Sequence, residues 1–252
     1  MTVNSIAIAG GAVAVSLIDA LIEQNILSAR APQMALQKLF AAFTRATGQA
    51  VTPTYDTVGA ITDRFKAGEA ADLLILSPQA LKALGDALVP GSTTAIARAG
   101  LAVAIRQGAP APDLSTPATF TAALLAVRRV SYSDPTAGGS AAAYFATLLE
   151  RLGIAKAVNA KASLGRNGHH VAELVADGTC ELGVSFLSEL VAIKGVAIAG
   201  PLPAELQNFT VYAAAIARAS TTNEAAQTLI ASLVRPQADL VWREAGLEPA
   251  ER

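Results

Sequence analysis

The chain has 252 residues, of which 52% are hydrophobic and 15% are charged, and its formal net charge is −1. This length allows one large or two smaller domains, and the apolar content excludes a disordered chain. The near-neutral charge without a basic cluster excludes nucleic acid as an expected partner, and the single cysteine, Cys180, excludes an internal disulfide framework.

The first apolar segment, residues 6–18, has the hydrophobicity of a secretory signal but lacks a basic start, and Asp19 and Glu23 follow it. It is too short to span a membrane, so we expect no membrane insertion. We expect the segment to belong to the folded protein. The expected location is periplasmic if a signal has been removed and cytoplasmic if Met1 is the native start.

Strand-like and helix-like segments alternate along the rest of the chain, which predicts an α/β fold. Three early strand-like runs each lead to a small polar residue before a helical pattern; these residues are Ser28, Thr57 and Ser77. Ligands of open parallel sheets bind beyond the carboxyl ends of the strands. We therefore expect a binding site at these three loops.

A second series of strands and helices occupies about residues 127–199, and strand-like runs at 100–105 and 208–217 flank it. This arrangement predicts a first lobe of residues 1–98 plus 216–252, in which residues 1–24 are an N-terminal extension. The second lobe is predicted to comprise residues 99–215, including the hinge strands. A cleft between two such lobes is a natural ligand site.

The most informative turn of the second series runs from Asp134 to Ser140 and contains a proline and two glycines between a strand-like run and a helix. Such a turn leaves backbone N–H groups unpaired at the helix N-terminus, where the helix dipole adds partial positive charge. It therefore suits an anion, although an ordinary connecting turn is the alternative.

The two histidines of the chain, His169 and His170, are adjacent in a glycine-rich loop that also contains Arg166. A histidine there could donate a hydrogen bond to a carboxylate or act as a general base, or the pair could simply cap a helix. Arg166 and Arg30 could each bind a carboxylate through two hydrogen bonds, unless they are ordinary surface residues.

Adjacent histidines splay apart, and no third ligand has a suggestive spacing, so no metal is expected. We also expect no cofactor, because the phosphate-loop and dinucleotide motifs are missing from the sequence.

Several motifs in the order and spacing of one group occur between residues 25 and 250. They include Ile26-Leu27-Ser28-Ala29-Arg30-Ala31, Thr57-x-Gly59, Lys66-Ala67-Gly68-Glu69-x₂-Asp72, Asp134-Pro135-x-Ala137-Gly138-Gly139, Gly183-Val184, Ser188-Glu189 and Gly200-Pro201-Leu202-Pro203-Ala204-Glu205-Leu206-Gln207. The chain thereby resembles extracellular solute-binding proteins of the molybdate-binding type, with a type II periplasmic-binding fold. The resemblance implies two lobes, each a mixed, mostly parallel sheet flanked by helices, joined by two crossing hinge strands.

The resemblance, together with the strand ends and the charged loops, selects the expected ligand-binding residues. They are Ser28, Ala29, Arg30, Ala31, Thr57, Val58, Ser77, Thr136, Gly138, Gly139, Ser140, Arg166, His169, His170, Val171 and Phe186. The chain departs from the molybdate binders at Ala31-Pro32, where they usually have a serine or threonine, and at Phe186, where they carry a tyrosine.

The leading hypothesis is therefore a solute-binding protein that captures a small anion, favouring an organic di- or tricarboxylate over a molybdate-like oxyanion. Its expected partner is the permease of an ABC transporter. The same superfamily includes an aconitate isomerase, so the alternative is an enzyme that shifts the double bond of an unsaturated carboxylic acid. In that case His169 and His170 are the expected catalytic residues.

Overall fold

The computed structural model describes residues 22–251, so the apolar segment 6–18 lies outside the described residues. The strands are β1 (Glu23–Ala29), β2 (Ala50–Asp56), β3 (Leu73–Leu76), β4 (Thr94–Arg106), β5 (Val130–Ser133), β6 (Ala162–Gly165), β7 (Leu182–Phe186), β8 (Val196–Pro201), β9 (Phe209–Ile216) and β10 (Glu248–Pro249). The helices are α1 (Gln33–Thr47), α2 (Val58–Lys66), α3 (Pro78–Leu84), α4 (Pro117–Ala126), α5 (Ser140–Arg151), α6 (Ala155–Asn159), α7 (Gly168–Ala176), α8 (Leu187–Leu190), α9 (Asn223–Leu233) and α10 (Pro236–Glu244). The predicted alternation of strands and helices is confirmed.

The strands form a sheet in the order β2-β1-β3-β9-β4-β7-β5-β6, and β8 and β10 pair with β4 beside this path. At one end β1 runs parallel to β2 and β3, and at the other end β5 runs parallel to β6 and β7. The central strands β9 and β4 are antiparallel to each other and to their other neighbours in this order. Parallel strands need helical crossovers, which is why helices follow β1, β2, β5 and β6.

Strand β4 joins the two ends of the sheet. Its first part, up to Gly100, pairs with β9, and its second part, from Leu101, pairs with β7 and β8. The strand begins six residues before the predicted run of 100–105, because its first part mixes small residues with the polar residues Thr94 and Arg98 and lacks a continuous apolar pattern. Arg98 is held there by Glu248 of β10, with its Nε 2.6 Å from the carboxylate.

The buried side chains form a large cluster along most of the sheet and a smaller one between α7 and the second part of β4. Cys180 is 1% exposed and belongs to the smaller cluster, as expected for a small apolar residue. Val171 is also fully buried there. Within residues 22–251, no helix combines the length and the hydrophobicity that are needed to cross a bilayer.

Candidate functional site

A cavity of about 440 Å³, including its opening to solvent, lies where the segments before or at the start of four helices meet. These segments precede α1 and begin α2, α5 and α7. They follow strands from both ends of the sheet, as expected for loops at the carboxyl ends of parallel strands. Among the described residues, the lining consists of Ala29, Arg30, Ala31, Thr57, Val58, Ser133, Asp134, Ala137, Gly139, Ser140, Ala141, Ala142, Arg166, Asn167, Gly168, Phe186, Glu189 and Tyr212.

The N-terminus of α5 presents backbone donors to this cavity. Gly139 precedes the helix and makes no side-chain capping bond, so the first-turn N–H groups have no side-chain acceptor there. The Asp134 carboxylate instead caps the preceding turn, accepting hydrogen bonds from Thr136 N at 2.8 Å and Thr136 Oγ1 at 2.7 Å. These bonds turn the Thr136 hydroxyl towards Asp134. The free donors of α5 leave this edge of the cavity suited to an anion.

Two glycines bring the opposite sides of the cavity into contact. A Cβ atom added at Gly59, near the start of α2, would lie 3.4 Å from the Cα of Gly138, and the reverse distance is also 3.4 Å. Gly138 also has a φ of 74°, a left-handed conformation that favours glycine. A methyl group at either position would touch the other backbone at ordinary van der Waals distance, so there is no room for a side chain that extends further in that direction.

Arg30 supplies a guanidinium to the cavity. One nitrogen donates to the Tyr55 carbonyl at 3.2 Å and lies 3.6 Å from the Asp56 carboxylate, whereas Nε is buried without a hydrogen-bond partner among residues 22–251. A buried polar atom without a partner carries a desolvation cost, which a bound acceptor would relieve. Arg166 also lines the cavity and is exposed.

A buried carboxylate also lines the cavity. Glu189 is 7% exposed, and its Oε2 accepts a hydrogen bond from Ser185 Oγ at 3.1 Å. Burial raises the pKa of Glu189 to about 6, although the Ser185 hydroxyl, the charge of Arg30 and the Gly168 N–H partly offset this effect. A Cβ atom at Gly168 would overlap both Glu189 Oε2 and Ser185 Oγ, so glycine lets the carboxylate lie at the N-terminus of α7.

The only tyrosine hydroxyl in the lining comes from Tyr212 of β9, which is 2% exposed. Its ring packs edge-on against Phe186, with ring centroids 6.4 Å apart. Burial and the negative charge of Glu189 raise the pKa of Tyr212, and the nearby Ser140 hydroxyl partly offsets this effect. The hydroxyl is therefore protonated at neutral pH and can donate a hydrogen bond. Phe186, where the resemblance leads one to expect a tyrosine, contributes only an apolar ring to the lining.

The two histidines lie next to this cavity without lining it. His169 is half-buried, and burial together with the charge of Arg30 lowers its pKa, with a partial offset from Glu173. His170 Nδ1 accepts a hydrogen bond from the Arg166 N–H at 3.1 Å. The backbone N–H of His170 donates to Asn167, which caps α7.

The cavity brings together nine of the sixteen residues expected from the sequence: Ala29, Arg30, Ala31, Thr57, Val58, Gly139, Ser140, Arg166 and Phe186. The other seven lie outside its lining: Ser28, Ser77, Thr136, Gly138, His169, His170 and Val171. Ser28 is buried within β1 and donates to the Ala29 carbonyl, and Ser77 caps α3. Gly138 contributes through its contact with Gly59.

The sequence reasoning missed nine lining residues, among them Asn167, Gly168, Glu189 and Tyr212. Glu189 carried two usable signals, because it stands in the Ser188-Glu189 motif of the resemblance and is an acidic residue three positions after the end of β7. Asp134 had been considered as a turn residue, and the structure shows it in that role.

The family described as bacterial extracellular solute-binding protein matches residues 25–248. The chain is 32% identical over 233 residues to an aconitate isomerase of a Pseudomonas species, covering 89% of this chain and 87% of that protein. A periplasmic molybdate-binding protein of Azotobacter vinelandii has a TM-score of 0.76 at 19% identity, covering 90% of this chain and all of that chain. A sulfate-binding protein of Mycobacterium tuberculosis has a TM-score of 0.73 at 16% identity, covering 91% of this chain and 88% of that chain. The two structures confirm the predicted fold class, a mixed α/β periplasmic-binding-protein fold.

The raised pKa of Glu189 predicts a pH-dependent stability that the substitution Glu189→Gln removes. Between the ordinary pKa of 4.5 and about 6, the folded state binds more protons than the unfolded state, so this residue lowers stability as pH rises. Above this window the cost is on the order of 2 kcal/mol. We therefore expect Glu189→Gln to unfold a few degrees higher than the wild type at pH 7.5 and at nearly the same temperature at pH 4.

Differential scanning calorimetry at both pH values measures this difference. Glu150→Gln removes an exposed carboxylate from the far end of α5 and serves as the control, with no change expected at either pH. A stability gain in Glu189→Gln that is equal at pH 4 and pH 7.5 would contradict the prediction.

Proposed function

This chain belongs to the family of bacterial extracellular solute-binding proteins, and we propose that its cavity captures an organic anion with two or three carboxylates. The observation that carries this proposal is that Arg30 lines the cavity and its Nε is buried with no hydrogen-bond partner in the described part of the chain. A guanidinium matches a carboxylate with two parallel hydrogen bonds, and such a ligand would satisfy the unpaired donor.

The rest of the lining also favours an organic ligand over a bare oxyanion. Many of the lining residues are apolar: Ala29, Ala31, Val58, Ala137, Ala141, Ala142 and Phe186. These side chains would contact a carbon skeleton, whereas a tetrahedral oxyanion has no apolar surface to bury against them. The first turn of α5 would bind a second carboxylate through its backbone N–H groups.

The proposal includes the division into two lobes, residues 1–98 plus 216–252 and residues 99–215. It is supported by strand β4, which pairs with different strands before and after Gly100, and by the Gly59–Gly138 contact between residues of the two lobes. Closure of the lobes on the ligand would exclude water and strengthen each hydrogen bond. Delivery of the ligand to an ABC transporter permease is the use expected of such a capture protein.

A second candidate function is isomerisation of an unsaturated carboxylic acid in the same cavity. The relative at 32% identity is an aconitate isomerase, and the match covers 89% of this chain. The buried carboxylate of Glu189 also favours chemistry, since capture of an anion does not require a second negative group in the lining. Both functions need the same carboxylate site, so they can be tested in sequence.

We expect trans-aconitate, cis-aconitate or another tricarboxylate to stabilise the protein more than molybdate or sulfate does in a thermal-shift assay. Arg30→Gln should lower the affinity for the best ligand at least tenfold by isothermal titration calorimetry, because it removes a charge-assisted bidentate contact. Arg45→Gln, at the exposed end of α1, is the matched control and should bind like the wild type. A larger shift with molybdate than with any carboxylate would overturn the organic-ligand proposal.

The contact between the two sides predicts that Gly138→Leu weakens ligand binding several-fold. A Cβ atom at this position already touches the Gly59 backbone, so the longer side chain would hold the two sides of the cavity apart. Gly108→Leu provides a matched control, because Gly108 also has a positive φ, of 85°, but an added Cβ there has no atom of the described residues within 4 Å. Calorimetric titration with the best ligand should separate the two variants, and equal affinities would argue against closure at this contact.

If the second candidate holds, the wild-type protein should convert trans-aconitate to cis-aconitate. Proton NMR in deuterated water follows both the conversion and the exchange of vinylic and methylene protons for deuterium. Tight binding without conversion or exchange would leave capture as the function and exclude isomerisation of this ligand.

A further inference from the structure

We propose that Glu189 moves the proton in this cavity, taking it from the methylene carbon of a bound unsaturated carboxylic acid and returning it to the vinylic carbon. This inference rests on the second candidate function, isomerisation. It assigns the proton transfer to a residue that had not been expected from the sequence.

The placement of the carboxylate is the first argument. Two carboxylates line the cavity, those of Asp134 and Glu189. Asp134 is held by the backbone N–H and the hydroxyl of Thr136, and these bonds lower its pKa, which makes it a weak base. Glu189 also accepts hydrogen bonds, from the Ser185 hydroxyl and the Gly168 N–H, but it is buried, and burial outweighs these bonds and raises its pKa. It is therefore the carboxylate better suited to accept a proton from a ligand.

The close approach at Gly168 is the second argument. Because an added Cβ atom would overlap both Glu189 Oε2 and Ser185 Oγ, the absence of a side chain at Gly168 lets the carboxylate lie at the start of α7, in the lining of the cavity. Burying a carboxylate costs free energy, and that cost can be retained where it serves chemistry. The buried position keeps the pKa of Glu189, about 6, close to neutral pH, as an effective general base requires.

The histidines are less suited to this step. Neither His169 nor His170 lines the cavity, and Nδ1 of His170 is already an acceptor for the Arg166 N–H. Arg30 and Tyr212 are the described groups in electrostatic contact with Glu189. A guanidinium has no free lone pair to accept a proton, and the raised pKa of Tyr212 keeps its hydroxyl protonated, so Glu189 is the group among them that can act as a base in the cavity.

The step balances without any further reactant. The methylene C–H bond breaks, its proton moves to Glu189, and the electron pair spreads over the double bond and the adjacent carboxylate as a dienolate. Arg30 and the α5 N–H groups would hold the carboxylate on which the negative charge develops, and the Tyr212 hydroxyl could donate to it. The proton then forms a C–H bond at the former vinylic carbon, the double bond shifts, and Glu189 is again a carboxylate.

The test compares the wild type with Glu189→Gln, Glu189→Asp and the exposed control Glu150→Gln, each with trans-aconitate. Calorimetric titration measures affinity, and proton NMR in deuterated water measures conversion and exchange. Circular dichroism establishes that each variant is folded. We expect Glu189→Gln to bind within a few-fold of the wild type but to lose conversion and exchange at least 100-fold, whereas Glu150→Gln behaves like the wild type.

Glu189→Asp keeps the carboxylate and should retain part of the rate. For the wild type, kcat/KM should rise with pH through about 6, as Glu189 loses its proton. In Glu189→Asp this rise, the acidic limb of the kcat/KM profile, should occur at lower pH, because an aspartate ordinarily has the lower pKa. A residue with a purely structural role would not shift this limb, so the profile supports the proposal even if Glu189→Gln fails to fold.

The outcomes separate the two proposals. Conversion or exchange that persists in folded Glu189→Gln overturns the role of Glu189 and leaves isomerisation standing. An unchanged acidic limb in Glu189→Asp also overturns that role. A wild type that binds trans-aconitate without converting or exchanging it excludes both the isomerisation and this role, while carboxylate capture stands. A wild type that binds no carboxylate excludes the proposed capture as well.

Discussion

Strand β4 is the constraint on which the position of the cavity depends. Its hydrogen bonds to β9 before Gly100 and to β7 and β8 after it fix two sets of parallel strands relative to each other. The loops after β1 and β2 come from one set, and those after β5, β6 and β7 come from the other. Because a ladder of backbone hydrogen bonds holds both sets, loops from distant parts of the chain can meet around one small space.

Within that space, electrostatics limits which ligands are compatible with the fold. The α5 N-terminus and Arg30 favour negative charge, whereas Glu189 and Asp134 oppose it. The bonds from Thr136 stabilise the charged form of Asp134, whereas protonation of Glu189 would remove the other unfavourable charge. The site can thus hold an anion most strongly when a proton is present on Glu189, so ligand binding and protonation are coupled.

Much of the fold could be predicted from sequence, because apolar runs such as Leu73–Leu76 end at helix-capping residues such as Ser77. The backbone N–H donors at Gly139 and Ser140 were also predictable, because they arise from a single turn and the start of the helix that follows it. Glu189 and Tyr212 were not, because each enters the cavity through contacts distant along the chain, against Gly168 and Phe186. Ser28 and Ser77 show the converse: a small polar residue at a strand end can donate to the neighbouring carbonyl, as Ser28 does to Ala29, or cap the next helix, as Ser77 does.

The position of Glu189 decides how capture and catalysis are weighed against each other. For capture alone, replacing this buried carboxylate by a neutral residue of the same shape would lower the cost of desolvation and remove repulsion of the ligand. For proton transfer, the same burial is useful, because it brings the affinity of the carboxylate for a proton close to what neutral pH requires. The unpaired Nε of Arg30 serves both functions equally, so it cannot separate them. A buried charge at Glu189 is costly and is not needed for capture. Its presence therefore favours a reaction in this cavity in addition to the capture of an anion.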